Sequence, residues 1–187
     1  MPDAMPGATL GHHVIALTRW FHYGLGITID QIVDVLGYHL QTKLTPGGLI
    51  DAWRRLAEIL QAWYEQVAEQ ARKSAHLHAD ETGWRVNGLT KRLRKYAEFI
   101  FTFLDYANVA FENNFAERQI RPAVILRKNS QSNRSEQGAV TQAVLMTVYH
   151  TLRLRGLNPT KTIADTLKTY LATGQLPPLP DTNIADG

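Results

Sequence analysis

Apolar positions recur at helical intervals through the first third of the chain. Val14 to Tyr23 is a short apolar segment closed by Gly24 and Gly26. Ile29, Ile32, Val33 and Leu36 come next, at spacings that share one helical face. Thr28 and Gln31 stand ahead of that face at the interval of a capping box. Gly37 is placed to end the helix. Thr45-Pro46 opens the next one, with proline at the first helical position, where its missing N–H costs nothing. Leu49, Trp53, Leu56, Leu60, Trp63 and Val67 then recur at spacings of 4, 3, 4, 3 and 4, a heptad stripe along one long helix to about Arg72. Such a stripe belongs to a helix packed on its neighbours or to the seam of a dimerising coiled coil. Two helices joined by a turn also carry a weak helix-turn-helix character. The connection from Gly37 to Leu44 is longer than the usual turn of about three or four residues.

The pattern changes at Ser74. His76 to Gly88 reads as a strand, a polar turn, a second short strand and an Asn87-Gly88 turn. Helical spacing returns at once: Leu93, Tyr96, Ala97, Ile100, Phe103 and Leu104 form one apolar face behind Lys91, Arg92, Arg94 and Lys95. Asn113 to Arg118 starts another helix. Arg127 to Gly138 is polar and basic, the composition of a surface loop. Ala139 to Arg155 is amphipathic and stops at Gly156; Asn158-Pro159 starts a last helix that ends near Gly174. Pro177, Pro178 and Pro180 cannot continue it. The fold class expected is mainly α with one small β-ribbon. Two isolated strands are marginal in water, so the ribbon reads as the opening of a sheet whose other strands are missing.

Composition narrows the function. The 187 residues are 44% hydrophobic and 20% charged, as in an ordinary soluble globular chain. The absence of cysteine excludes disulfides, Cys-ligated zinc and thiol chemistry. Met1 to Leu10 has no basic leader, and Arg19 and His22 break the apolar run beyond it. No stretch approaches the ~18 apolar residues of a membrane span, and the expected location is the cytoplasm. The net charge of +3 is unevenly spread: Arg85 to Arg134 holds ten basic and four acidic residues. A basic middle suits a polyanionic partner or a solvated helix face with a loop.

Three constellations can carry chemistry. His76, His78 and Asp80 alternate along a strand and so share a face, a donor set for zinc or manganese. The scatter of His12, His13, His22, His39 and His150 offers no second cluster, and a half-exposed strand explains the same alternation. Asp80 with Glu117 supplies carboxylates of the kind that hold two Mg²⁺ ions about 3.5–4 Å apart for phosphodiester chemistry, although a further carboxylate is normally needed. Glu117 also fits as the N3 partner of an Asn114 cap. Arg118, Arg121, Arg127, Lys128, Asn129, Ser130, Asn133 and Arg134 gather guanidinium, hydroxyl and amide donors suited to phosphate oxygens, or form a solubilising loop.

Several of these segments resemble one family. His78-Ala79-Asp80-Glu81-Thr82-Gly83-Trp84-Arg85-Val86-Asn87-Gly88 is similar to the first catalytic segment of bacterial DDE transposases of the insertion-sequence-66 family. Phe111 to Pro122 resembles the segment with their last catalytic carboxylate. The run Arg127-Lys128-Asn129-Ser130, Asn133-Arg134-Ser135 and Gly138-Ala139 resembles the family's next stretch, with Ser132 where a glycine is expected. Tyr23-Gly24-Leu25-Gly26, Leu44 to Gly48 and Gly174 to Pro180 are similar to its flanking helical regions. The resemblance covers most of the chain and implies Mg²⁺-dependent DNA cutting and joining, with Asp80 and Glu117 as first and last metal-binding carboxylates. It implies Arg118, Arg121, Arg127, Lys128, Asn129 and Arg134 as DNA contacts.

One departure is large. Between Asp80 and Glu117 the family carries the rest of a ribonuclease-H-like sheet and a second catalytic aspartate. Here Gly88 runs straight into Leu89-Thr90-Lys91, which resembles sequence beyond that stretch. Asp105 is no substitute, because Phe101 to Asp105 aligns just before the last glutamate. An upstream leader and zinc-binding region also have no counterpart. The expectation is a helical region over 1–73, a truncated remnant of the DDE core over 74–122, and a basic loop with C-terminal helices over 123–187. The chain is then a catalytically inactive, internally deleted relative. Its partners would be DNA at element ends, and an intact transposase or itself, with no membrane. The alternatives are a non-catalytic helical module that binds DNA or transposase, and a His/Asp metallohydrolase.

Overall fold

The computed structural model describes residue 4, residues 10–74, 114, 117–118, 121–122, 124–125, 128 and 135–181. The ribbon expected over 76–88 and the amphipathic stripe over 93–104 lie outside the described residues. The chain divides into two compact units, Met1–Arg72 with Pro122–Gly187, and Lys73–Arg121. The first unit is helical: α1 (His12–Arg19) running into a π-helical turn (Trp20–Gly24), α2 (Ile29–Leu40), α3 (Pro46–Arg72), α4 (Glu136–Leu154) and α5 (Pro159–Thr173). Among the described residues the only strand pairing is one antiparallel bridge, Ala4 to Gly11.

Local signals set the helix starts. The Thr28 hydroxyl accepts the Gln31 N–H at 3.3 Å, and the Gln31 side chain accepts the Thr28 N–H at 3.0 Å, a complete capping box. Thr45 Oγ1 accepts the Gly48 N–H at 3.1 Å beside Pro46. Asn158 accepts the Lys161 N–H at 3.1 Å ahead of Pro159. Each satisfies a backbone donor that the first turn leaves open. The ends of α4 and α5 use Gly156 and Gly174 at φ of 74° and 72°, a left-handed geometry that other residues adopt with strain.

Two boundaries differ from the sequence expectation. Gly37 does not end α2. The helix continues to Leu40, and Gln41 takes the left-handed turn at φ 50°, with the Thr42 N–H reaching the Leu36 carbonyl at 3.4 Å. A glycine inside a helix weakens it by only about 1 kcal/mol, less than the packing of Ile32 and Leu36 supplies. The supposed loop up to Gly138 is also shorter. Lys128 is helical, and α4 begins at Glu136 because the Ser135 hydroxyl accepts the Gly138 N–H at 3.1 Å. Glu136 in the first turn adds a favourable charge at the helix N-terminus.

The heptad stripe is buried within the chain itself. Leu49, Trp53, Leu56, Leu60 and Trp63 are all buried, and Val67 packs partly buried against them. α3 lies along α4, and α1 lies along α5. The core therefore joins residues far apart in sequence: Val144, Leu145, Val148 and Leu152 of α4 and Ile163 and Leu167 of α5 belong to the same cluster. Trp63 Nε1–H donates to the Pro177 carbonyl at 2.8 Å, and Leu179 is buried, so the proline-rich tail is tied to α3. Arg155 adds bonds to the Pro180 carbonyl and to the Gln70 side chain.

Truncating Trp63 removes a fully buried side chain and the tail's anchor together. Trp63→Ala is expected to cost about 3–5 kcal/mol, the range for a large aromatic core truncation. Urea unfolding measures it; a loss under about 1 kcal/mol would place Trp63 outside the core.

Candidate nucleic-acid interface

Glu117, Arg118 and Arg121 are helical and exposed. Asn114, Glu117, Arg118 and Arg121 stand at i, i+3, i+4 and i+7, the spacing that a helix collects on one face. Asn114 is also helical and exposed. These exposed helical positions carry one carboxylate and two guanidinium groups. Lys128, in the other unit, is also helical and exposed. Asp80, Arg127, Asn129 and Arg134 lie outside the described residues, as do His76 and His78.

Exposed cations on a helix fit phosphate oxygens by charge and by hydrogen bonding, without reading sequence. A two-metal centre asks for more than this surface supplies. Among the described residues no three His, Asp or Glu side chains converge. Glu117 is the one member of the Asp80–Glu117 pair among the described residues, and a single carboxylate does not hold two Mg²⁺ ions.

A small group of titratable side chains lies buried inside the first unit. Arg19 is fully buried. Its Nη1 donates to the Leu145 carbonyl at 2.9 Å, and its guanidinium lies 4.9 Å from the Tyr149 ring centroid. Nε and Nη2 have no hydrogen-bond partner. Burial pushes its pKa down to about 10, against the opposing influence of the Tyr23 and Tyr149 hydroxyls. Beside it, His22 Nδ1–H donates to the Ile27 carbonyl at 2.7 Å, and its ring stacks on Trp53 at 5.0 Å. Trp53 Nε1–H in turn donates to Thr18 Oγ1 at 3.2 Å. Burial lowers the His22 pKa, partly offset by the Ile27 bond. Burial also lowers that of His150, helped by Arg153 and Arg19. The one sequence signal for this cluster was that Arg19 and His22 interrupt an apolar run.

Arg19 and His22 are buried among the helices that they join. Their charge state still matters. A histidine whose pKa is depressed on folding stabilises the fold fully above its unfolded value, about 6.5. That contribution is lost as pH falls from there through the folded value. The urea midpoint is therefore expected to drop between pH 7.5 and 5. The drop should shrink in a His22→Gln, His150→Gln double variant. Equal midpoints at both pH values in the parent chain would contradict the assignment.

Comparison with known proteins adds the family context. The family model described as "Transposase IS66 family" matches residues 7–97 and 87–141. The uncharacterized protein y4qI of Sinorhizobium fredii is 30% identical over 119 residues, 64% of this chain and 20% of y4qI. The uncharacterized protein y4jD of the same organism is 35% identical over 66 residues, 35% of this chain and 13% of y4jD. The matched part thus spans a fifth or less of either relative. No solved structure matches.

Proposed function

The chain belongs to the IS66 family of transposases, and from that premise we propose that it is an internally shortened member that binds DNA without cutting it. The observation that carries this reading is how the family model matches. It does so in two stretches, 7–97 and 87–141, which overlap over 87–97. The junction inferred from sequence, Gly88 to Leu89, falls inside that overlap. A chain that joined two separated parts of the family sequence would give this pattern.

Under this reading Asp80 and Glu117 are the first and last carboxylates of the family's catalytic set, and the second aspartate went with the deleted stretch. Magnesium, when bound in full-length relatives, activates and stabilises the oxygens of phosphodiester attack. With its middle ligand gone, this chain lacks the means to hold the ions in register. The segment over 74–122 is then a remnant of the ribonuclease-H-like core, and the flanking helices are what remains intact.

DNA contact is assigned to the basic segment rather than to the α2–α3 pair. The outer face of α3 carries Asp51, Glu58, Glu65 and Glu69, all exposed. Two of its three arginines pair with those carboxylates: Arg54 with Asp51 at 2.6 Å and Glu58 at 3.4 Å, and Arg72 with Glu69 at 3.0 Å. Such a face repels a phosphate backbone. Arg118, Arg121 and Lys128 are exposed cations, and Arg127, Asn129 and Arg134 extend the same run in sequence. Among the described residues no helix is long and apolar enough to cross a membrane.

The chain is expected to bind duplex DNA with an affinity that falls steeply with salt. Arg118→Ala, Arg121→Ala and Lys128→Ala together should flatten the log–log salt slope by up to about 3. Mg²⁺ or Mn²⁺ should not make the protein nick or join DNA. Fluorescence anisotropy across a salt series and a plasmid nicking assay test this. No binding at low salt would contradict the DNA role, and nicking abolished by Asp80→Ala would contradict the inactive reading.

A further inference from the structure

The tail that follows α5 is constrained residue by residue. Pro177, Pro178 and Pro180 fix their own φ near about −65°. Leu176, Pro177 and Leu179 each precede a proline, which pushes them out of the helical region. Five residues in succession are thereby held in the polyproline II range. Their exposure repeats with a period of three. Gln175, Pro178 and Asp181 are exposed, while Leu176 packs partly buried against the core and Leu179 is buried in it. Three residues per turn is the repeat of polyproline II, whereas a strand alternates by two.

Side chains of the helices read this tail at the same interval. Trp63 Nε1–H donates to the Pro177 carbonyl at 2.8 Å, and Arg155, just past α4, donates through Nη1 to the Pro180 carbonyl. The two carbonyls are one polyproline turn apart, roughly 9 Å. Arg155 is steadied from the other side, since its Nη2 donates to the Gln70 side chain of α3 at 3.1 Å. Its guanidinium also lies 3.8 Å from the Asp181 carboxylate. Among the described residues, no backbone–backbone hydrogen bond ties 176–181 to the helices. Two side-chain donors and one inserted leucine hold the tail instead. A groove grips a proline-rich ligand in this way, with an aromatic lining and donors aimed at carbonyls of a preformed, low-entropy helix. We infer that the ends of α3 and α4 form a binding groove for a polyproline II segment of the pattern Leu-Pro-Pro-Leu-Pro-Asp, and that the chain's own tail is its ligand in cis. The inference does not rest on the DNA-binding reading.

A fluorescein-labelled peptide of residues 174–181, titrated into the full chain and followed by fluorescence anisotropy, tests it. Two full-length variants empty the groove by different means. Leu179→Asp removes the inserted side chain; Pro177→Gly with Pro180→Gly keeps the carbonyls and frees the backbone. In the parent chain the tethered tail competes at an effective concentration on the order of millimolar, so each variant should bind the peptide at least about tenfold more tightly than the parent. Both should keep the parent's helical circular dichroism. In the glycine variant, Trp63→Phe and Arg155→Met should each weaken peptide binding about threefold to tenfold, the worth of one hydrogen bond. A peptide that itself carries Leu179→Asp should not bind. The inference is overturned if neither variant shows saturable binding at about 1 mM peptide, or if Trp63→Phe and Arg155→Met leave the affinity unchanged. Loss of helical circular dichroism in both emptied variants would also overturn it, because the tail would then be part of the core and not a docked ligand.

Discussion

The packing of α3 on α4 holds the helical unit together. Leu49, Trp53, Leu56, Leu60 and Trp63 of α3 share one core with Val144, Leu145, Val148 and Leu152 of α4, across more than sixty intervening residues of chain. Closing so long a loop costs entropy, but the cost grows only with the logarithm of its length. A seam of fully buried side chains offsets that cost, whatever the intervening residues do. This makes a deletion between the two helices tolerable for the unit that they build. The length of that segment can change while α3 and α4 still find one another.

The same seam explains the buried polar cluster. Arg19 donates to the carbonyl of Leu145, a core residue of α4, and lies over Tyr149 of the same helix. A cation without a carboxylate is costly to bury. It is held by a carbonyl, an aromatic face and the surrounding helices. His22 and Trp53 lock the π-helical turn onto α3 through stacking and the Thr18 hydroxyl. These contacts set how α1, the π-helical turn and α3 meet.

Local grammar was legible in the sequence. Thr28 with Gln31, Thr45 with Pro46, and Asn158 with Pro159 each marked a helix start, because capping depends on residues within one turn. The heptad stripe of α3 was legible for the same reason. Gly37 misled because a weak local stop signal yields to the burial of Ile32 and Leu36. The start of α4 was missed because Ser135 sits in a run of polar residues where its capping role does not stand out. The partner of α3 was beyond reach, since nothing in a heptad names what will cover it. At the candidate site, the basic and acidic residue types were legible, and Glu117, Arg118 and Arg121 are exposed on a helix. The burial of Arg19 and His22 was not legible, because a charged residue in an apolar run reads as an interruption until its neighbours are known.

The helices on either side of the segment between α3 and α4 form one cooperative unit, independent of the residues that join them. Native-state amide hydrogen exchange tests it most directly. The amides of α3 between Leu56 and Trp63 and those of α4 between Val144 and Leu152 should open with the same free energy and the same denaturant dependence. If α4 exchanges through its own low-energy opening while α3 stays protected, the two helices are not one unit and the account fails.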